Sequence, residues 1–328
     1  MKKPIYNLNK WVKLICGASN EDVAFIEDLC AIYSAAGVDY IDVAADPSVV
    51  DAARRGINWS KQMLGTKPGL MISISDGKDV HFRKARFDPS LCPDDCLRPC
   101  EKICPTFAIS NYGVTKEKCY GCGRCLSCCP LNLISEYEYK TSENSLKEIL
   151  LSIQPDALEI HTEINRKESF GKIINQVKES NLKLKIISVS CGLTQSNSCP
   201  QDLANVFWER YKILRELPVN IIWQLDGKPM SGDLSSTTAK TAVKLWEKME
   251  LLLPPGIIQL AGGTNSNTYK YLKNNKMPEG IGFGSVARKL VQPQIEESFK
   301  NNKKIYENPE MMEIAVKKAQ LLINSWKN

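Results

Sequence analysis

Short apolar runs rich in Val, Ile and Leu alternate along most of this chain with longer stretches whose apolar residues recur every three or four positions. That is the pattern of buried strands joined by amphipathic helices. Lys13 to Cys16 opens the series as a strand. A helical stretch over Glu21 to Ala36 follows, with Asn20 as the expected N-cap and Gly37 at its close. Tyr40 to Ala44 reads as the second strand, Ser48 to Arg55 as its helix, and Leu70 to Ser75 as the third strand. After an interruption the alternation resumes with a helix over Ser145 to Ile153, a strand at Ala157 to His161, a helix over Phe170 to Ser180 and a strand at Leu184 to Ser190. A helix over Pro200 to Glu216 carries Phe207, Tyr211 and Leu214 on one stripe. The series closes with strand Asn220 to Leu225, helix Thr237 to Leu251, strands Gly256 to Leu260 and Gly280 to Phe283, and a last helix over Pro309 to Trp326.

Eight strands in this alternation predict an α/β protein, a (β/α)8 TIM-barrel-like scaffold, with an open doubly wound parallel sheet as the alternative. The interruption falls after the third strand. The expected organisation is residues 1–81 as the first part of the barrel, 82–139 as an inserted ferredoxin-like domain, and 140–328 as the remainder.

The insertion earns its name from its cysteines. Cys119, Cys122, Cys125 and Cys129, the last followed by Pro130, match the bacterial ferredoxin run C-x₂-C-x₂-C-x₃-C-P. In two-cluster ferredoxins three close thiolates hold one cluster and the fourth reaches a second. A second group is present: Cys92, Cys96, Cys100 and Cys104 lie four residues apart, and Pro105 follows as Pro130 does. Two [4Fe–4S] clusters are therefore expected, one on Cys92, Cys96, Cys100 and Cys129, the other on Cys119, Cys122, Cys125 and Cys104. The longer gaps of the first group leave Asp94 or Asp95 as competing ligands, or that cluster more labile. Cys128 is spare and reads as a small apolar side chain. Zinc fits poorly, because only His81 and His161 supplement the thiols, and disulfides require an oxidising compartment to which no leader-like segment points.

Composition narrows the class further. Of the 328 residues 43% are hydrophobic and 24% charged, and no apolar stretch approaches the roughly 20 residues that span a bilayer. A soluble, cytoplasmic protein without a transmembrane segment is expected. The formal charge of +6 falls to about +2 once two clusters of about −2 each are counted, which removes most of the case for nucleic acid. The basic residues near the cysteines, Arg83, Lys84, Arg86, Arg98, Lys102, Lys116, Lys118 and Arg124, then offset cluster charge or form a docking face for an acidic partner.

Barrel chemistry gathers at the C-terminal ends of strands, which nominates Asp42, Glu159, His161 and Asp226, with Cys16, Asp46, Ser75, Asp76, Glu163, Cys191 and Gln224 beside them. Glycine turns follow the last two strands, at Gly262-Gly263-Thr264 and at Gly282-Phe283-Gly284-Ser285. Barrel phosphate sites are built there, so FMN or another phosphate-bearing ligand is a candidate, against plain tight-turn chemistry. Arg288 could pair with such a phosphate, although a solvated helix arginine is the default. Cys191 and Cys199 read as unrelated thiols rather than a redox pair.

At Trp11-Val-Lys-Leu-Ile-Cys-Gly-Ala-Ser19, Tyr40-Ile-Asp-Val-Ala-Ala-Asp46, Leu158-Glu-Ile-His-Thr162 and both cysteine groups, the sequence resembles the cyanobacterial light-dependent period family over nearly its whole length. The resemblance implies an iron–sulfur redox sensor that passes the state of photosynthetic electron transport, and so light intensity, to the circadian clock. It also implies clock input and clock proteins as partners. The redox partner, a quinone, a ferredoxin or similar, is not named by the sequence. An oxidoreductase whose clusters feed a flavin or substrate at the barrel mouth is the competing function.

Overall fold

The computed structural model describes residues 10–138, 146–193, 199–228, 237–273 and 276–328. The chain starts with β1 (Trp11–Ile15), α1 (Val23–Ala35), β2 (Tyr40–Ala44), α2 (Pro47–Leu64) and β3 (Gly69–Ser75). It then leaves the sheet for β4 (Arg83–Arg86), α3 (Pro99–Ile103), β5 (Ile109–Ser110), β6 (Gly113–Val114), α4 (Arg124–Cys128) and β7 (Ser135–Glu138). The alternation resumes with α5 (Leu146–Ile153), β8 (Ala157–His161), α6 (Lys167–Glu179), β9 (Ile186–Gly192), α7 (Pro200–Leu214), β10 (Asn220–Asp226) and α8 (Thr238–Met249). β11 (Ile257–Ala261), β12 (Gly280–Phe283), α9 (Ser285–Lys300) and α10 (Pro309–Lys327) complete it.

Eight of these strands form a closed parallel barrel in the order β1-β12-β11-β10-β9-β8-β3-β2. Closure rests on β1 pairing with β12, Trp11 against Gly280 through Leu14 against Phe283. That ladder excludes the open sheet. The excursion between β3 and β8 is clamped at its base by antiparallel pairing of β4 with β7, Arg83 opposite Glu138 and Arg86 opposite Ser135. The predicted helix start at Ser145 and the predicted end of the insertion at Tyr139 lie outside the described residues.

Two local expectations are corrected. The cap of α1 is Asp22, whose carboxylate accepts from the Phe25 N–H at 3.2 Å, while Asn20 donates its amide to the Cys16 carbonyl. A carboxylate three residues upstream meets the orphan N–H that Asn20, two residues too early, cannot reach. α2 runs well past Arg55 because its buried stripe continues through Gly56, Ile57 and Ser60 to a left-handed Gly65. Arg54 and Arg55 only interrupt the hydrophobic pattern on its outer face. Gly56 is where α2 crosses α1: a Cβ there would stand 2.2 Å from the Glu27 carbonyl oxygen.

Helix α1 is buried on several sides, and this traps Asp28. Its Oδ2 accepts from the Ile305 N–H at 3.1 Å, and its Oδ1 has no partner among the described residues. Burial pushes its carboxyl up to about 7 from 3.8, against the Ile305 hydrogen bond. Native protein therefore holds a proton that the unfolded chain has released, and stability falls as pH rises across that window. Asp28→Asn removes the titration. Its stability relative to the parent should improve by about 2 kcal/mol between about pH 5.5 and pH 7, read by urea unfolding at each pH.

Candidate functional site

The excursion brings all eight cysteines of the two groups into two small cavities. Cys92, Cys96, Cys100 and Cys129 line one, together with Phe87, Leu131, Leu133 and Ile134. Cys104, Cys119, Cys122 and Cys125 line the other, with Ala85, Ala108 and Ile109. Each group of cysteines thus contributes its last member to the other group's cavity. α3 and α4, one short helix from each pseudo-repeat, pack together between them. Asp94 and Asp95 are exposed and lie outside both cavity walls, and Cys128 donates to the Cys125 carbonyl instead of joining either set.

Local backbone conformation makes the second cavity. Gly121 and Gly123 have φ of +70° and +74°, and a Cβ on Gly121 would sit 2.1 Å from the Arg83 carbonyl oxygen. At Gly121 only glycine combines that φ with so close a backbone approach, and at Gly123 the left-handed φ is what favours glycine. Backbone N–H groups point at sulfur: Ala108 donates to Cys104 at 3.2 Å and Ala85 to Cys119 at 3.4 Å. Burial raises the Cys129 thiol, but the N–H groups of Leu133, Leu131, Ile134 and Asn132 outweigh it and hold the group below its usual range. Burial pushes Cys125 up to about 12, and Cys122, Cys119 and Cys104 add to the rise. Such a thiol does not ionise unaided near neutral pH, so a catalytic nucleophile is a poor fit. A metal, which deprotonates a coordinating thiol outright, fits well.

The segment is fastened to the barrel by buried polar contacts. Lys84, fully buried, donates to Glu21 at 3.0 Å and to the Lys116 carbonyl at 2.6 Å. Arg288 lies over the Tyr120 ring, 4.5 Å from its centroid, and donates to the Ile15 carbonyl at 2.8 Å. It is only 8% exposed, so the solvated arginine expected from sequence is replaced by a buried guanidinium at the barrel–segment junction. It sits on the first turn of α9, and no local pattern reveals that the inserted segment docks over that turn.

Directly below lies the barrel mouth. One cavity is lined by Asp42, Glu159, His161 and Asp226, and also by Gly262, Gly263, Thr264, Gly284, Ser285 and Arg288. The two glycine turns therefore converge, except that Gly282 stays in the wall, where its carbonyl accepts from the Thr264 hydroxyl. Tyr120 lines this cavity and the second cysteine cavity alike. Of the other candidates, Asp46 caps α2, Asp76 binds Thr162 and Arg166, and Cys199 caps α7 by accepting from the Asp202 N–H. The centre of the Cys191 to Cys199 loop, residues 194–198, lies outside the described residues.

The barrel interior beneath the cavity is ionic where barrels usually stack branched apolar side chains. Lys13 on β1 pairs with Glu159 on β8, and both are fully buried. Glu159 also accepts from Ser188 and Gln224, each at 3.0 Å, and faces the His161 Nε2 at 3.4 Å. Burial raises Glu159, but Lys13 and His161 overcome it and hold the carboxyl well below the ordinary range. Burial and then Glu159 push Asp42 up to about 7. For His161 burial works downward, yet Glu159 and Asp79 raise it to about 9.

Comparison with known proteins gives the lineage. A profile of the light dependent period A C-terminal domain matches residues 149–325, and one of the LdpA Fe-S cluster-binding domain matches residues 92–140. Light dependent period A of Synechococcus elongatus is 38% identical over 326 residues, 97% of this chain and 91% of that protein. The chain belongs to the light-dependent period A family. It carries that family's iron–sulfur cluster-binding domain, whose matched span contains all eight cavity-lining cysteines. A shorter similarity, 32% over 85 residues, relates 24% of the chain to 32% of the iron–sulfur subunit ArrB of an arsenate respiratory reductase from Shewanella. Among solved structures, a type I 3-dehydroquinate dehydratase from Clostridium difficile aligns over 94% of this chain and 93% of its own at a TM-score of 0.41 and 7% identity.

For this light-dependent period A family member, sequence reasoning missed Lys13, Asp79, His81 and Tyr120. Lys13 lay inside a predicted strand, where a lysine among apolar neighbours was the available signal. Tyr120 was hidden among the cysteines. No helix among the described residues is long and apolar enough to cross a membrane.

Proposed function

We propose that this protein is an iron–sulfur redox sensor in light-dependent clock input. Cys92, Cys96, Cys100 and Cys129 would hold one [4Fe–4S] cluster, and Cys104, Cys119, Cys122 and Cys125 the other. The observation that carries the reading is the crossed sorting of eight thiols into two four-cysteine cavities with backbone N–H groups aimed at sulfur. Bound clusters supply one-electron exchange. The protein's own contribution is the enclosure, the hydrogen bonds and the local charge, which set the potential. Residues 82–139 would act as one unit between the barrel parts 1–81 and 140–328.

A sensor must also present its state to a partner. Leu91, Leu97, Ile103, Phe107, Tyr112 and Leu131 are exposed large apolar side chains on the cysteine-bearing segment, with Leu97 at 80% and Tyr112 at 90%. Such a concentration suits a protein-binding surface, here a clock input or clock protein. The wide cysteine spacing of the first group favours lability in the cluster beside Leu91, Leu97 and Leu131.

A second reading, an oxidoreductase, is favoured by Tyr120, which borders both a cysteine cavity and the barrel-mouth cavity. Anaerobic purification, iron and sulfide counting and acid release of any flavin separate the two. The sensor predicts full iron, no stoichiometric flavin, and capture of a clock protein that changes with cluster redox state. Stoichiometric flavin with redox-independent capture would overturn it.

A further inference from the structure

The only two histidines of the chain, His81 and His161, meet at the barrel mouth although they lie 80 positions apart with the whole cysteine-bearing segment between them. Their ring centroids are 4.7 Å apart, and both rings line the mouth cavity. Asp79 completes a set in which each residue offers one donor atom, and all three atoms lie within 4.8 Å of one another. Two imidazoles and one carboxylate beside an open cavity match the facial arrangement that holds a divalent transition-metal ion with positions left for water or ligand.

We propose that Asp79, His81 and His161 form a mononuclear site for a divalent transition-metal ion, separate from the iron–sulfur clusters. The His81 Nδ1 and the Asp79 Oδ1 are 2.7 Å apart, a hydrogen bond that an ion on the same two atoms would replace. The His161 Nε2 faces Glu159 at 3.4 Å, the carboxylate–histidine contact that orients a metal-bound imidazole and leaves the other nitrogen as donor. That other nitrogen, Nδ1, lies 3.4 Å from the Ser190 hydroxyl, which donates to Asp226, and stands 3.9 Å from the Asp79 Oδ2. This is too long for a hydrogen bond and short enough for two ligands of one ion. Asp79 is itself held in place by the His81 N–H at 2.8 Å. Around the two rings stand the carboxylates of Asp79, Glu159 and Asp226, with Asp42 lining the same cavity, and Lys13 is buried against Glu159.

The remaining face of the site opens into the cavity, towards Lys228, Arg288 and the glycine turns. Exchangeable positions on the ion would therefore point at groups suited to an anion.

The test uses full-length protein purified anaerobically with its iron and sulfide counted, and Co(II) as the probe. One equivalent should bind in addition to cluster iron, with the visible bands of nitrogen and oxygen ligation and without a thiolate charge-transfer band, and Zn(II) should displace it. Asp79→Asn and His81→Gln should each weaken Co(II) binding by at least about tenfold while iron and sulfide stay at the parent level. Because His161 is buried and its replacement could unfold the barrel, the two more peripheral variants decide the matter. No Co(II) uptake at millimolar free metal, a thiolate band, or unaltered affinity in both variants would overturn the proposal, and it would do so without touching the cluster assignment.

Discussion

Cys122→Ser should lower iron from about eight to about four per chain and leave the other cluster's signal in place, because Cys122 belongs to one four-thiol set only. The sharper comparison uses Cys104. In sequence it closes the first group, yet in space it lines the cavity of Cys119, Cys122 and Cys125. Cys104→Ser should therefore copy Cys122→Ser in electron paramagnetic resonance of the reduced protein, whereas Cys129→Ser should copy Cys92→Ser. Cys128→Ser should keep full iron, since its sulfur only donates to the Cys125 carbonyl. Unchanged iron in Cys122→Ser, or a Cys104→Ser spectrum matching that of Cys92→Ser, would refute the crossed assignment.

Lys13→Met should cost about 3–5 kcal/mol, the usual penalty for leaving one member of a buried ion pair alone. Methionine keeps most of the lysine volume, so the loss measures charge rather than a cavity. Glu159 would remain fully buried with only Ser188, Gln224 and His161 against its charge. Adding Glu159→Gln removes the stranded charge while keeping an acceptor for Ser188. The double variant should accordingly recover more than half of the loss in urea unfolding of cluster-loaded protein. A single-variant cost below about 1 kcal/mol would mean that the pair contributes like an exposed one and that the ionic barrel interior does not hold as described.

Much of this molecule was legible before any coordinates. The short apolar runs and the period-3.6 stripes between them identified each barrel strand within a few residues, because strands buried on both faces must be continuously apolar and their crossover helices must be striped. The cysteine groups were legible for a different reason: thiolates around a cluster need short, fixed spacing, and that spacing is a sequence property. Helix ends were less so. Asn20 and Asp22 are both competent caps, and which one meets the Phe25 N–H depends on how the chain leaves β1.

What the sequence by itself determined is therefore the alternating β/α order, the insertion after the third strand and the two pseudo-repeated cysteine groups. Local pattern and ligand spacing carry all three. Tertiary structure alone decided that the sheet closes, through the pairing of Trp11–Leu14 with Gly280–Phe283 across the full length of the chain. It alone buried Arg288 over Tyr120, set Lys13 against Glu159, and brought His81 to His161. The physical reason is common to these pairs: each joins residues far apart along the chain, and their meeting depends on barrel closure and on the docking of the inserted segment, neither of which any short window of sequence encodes.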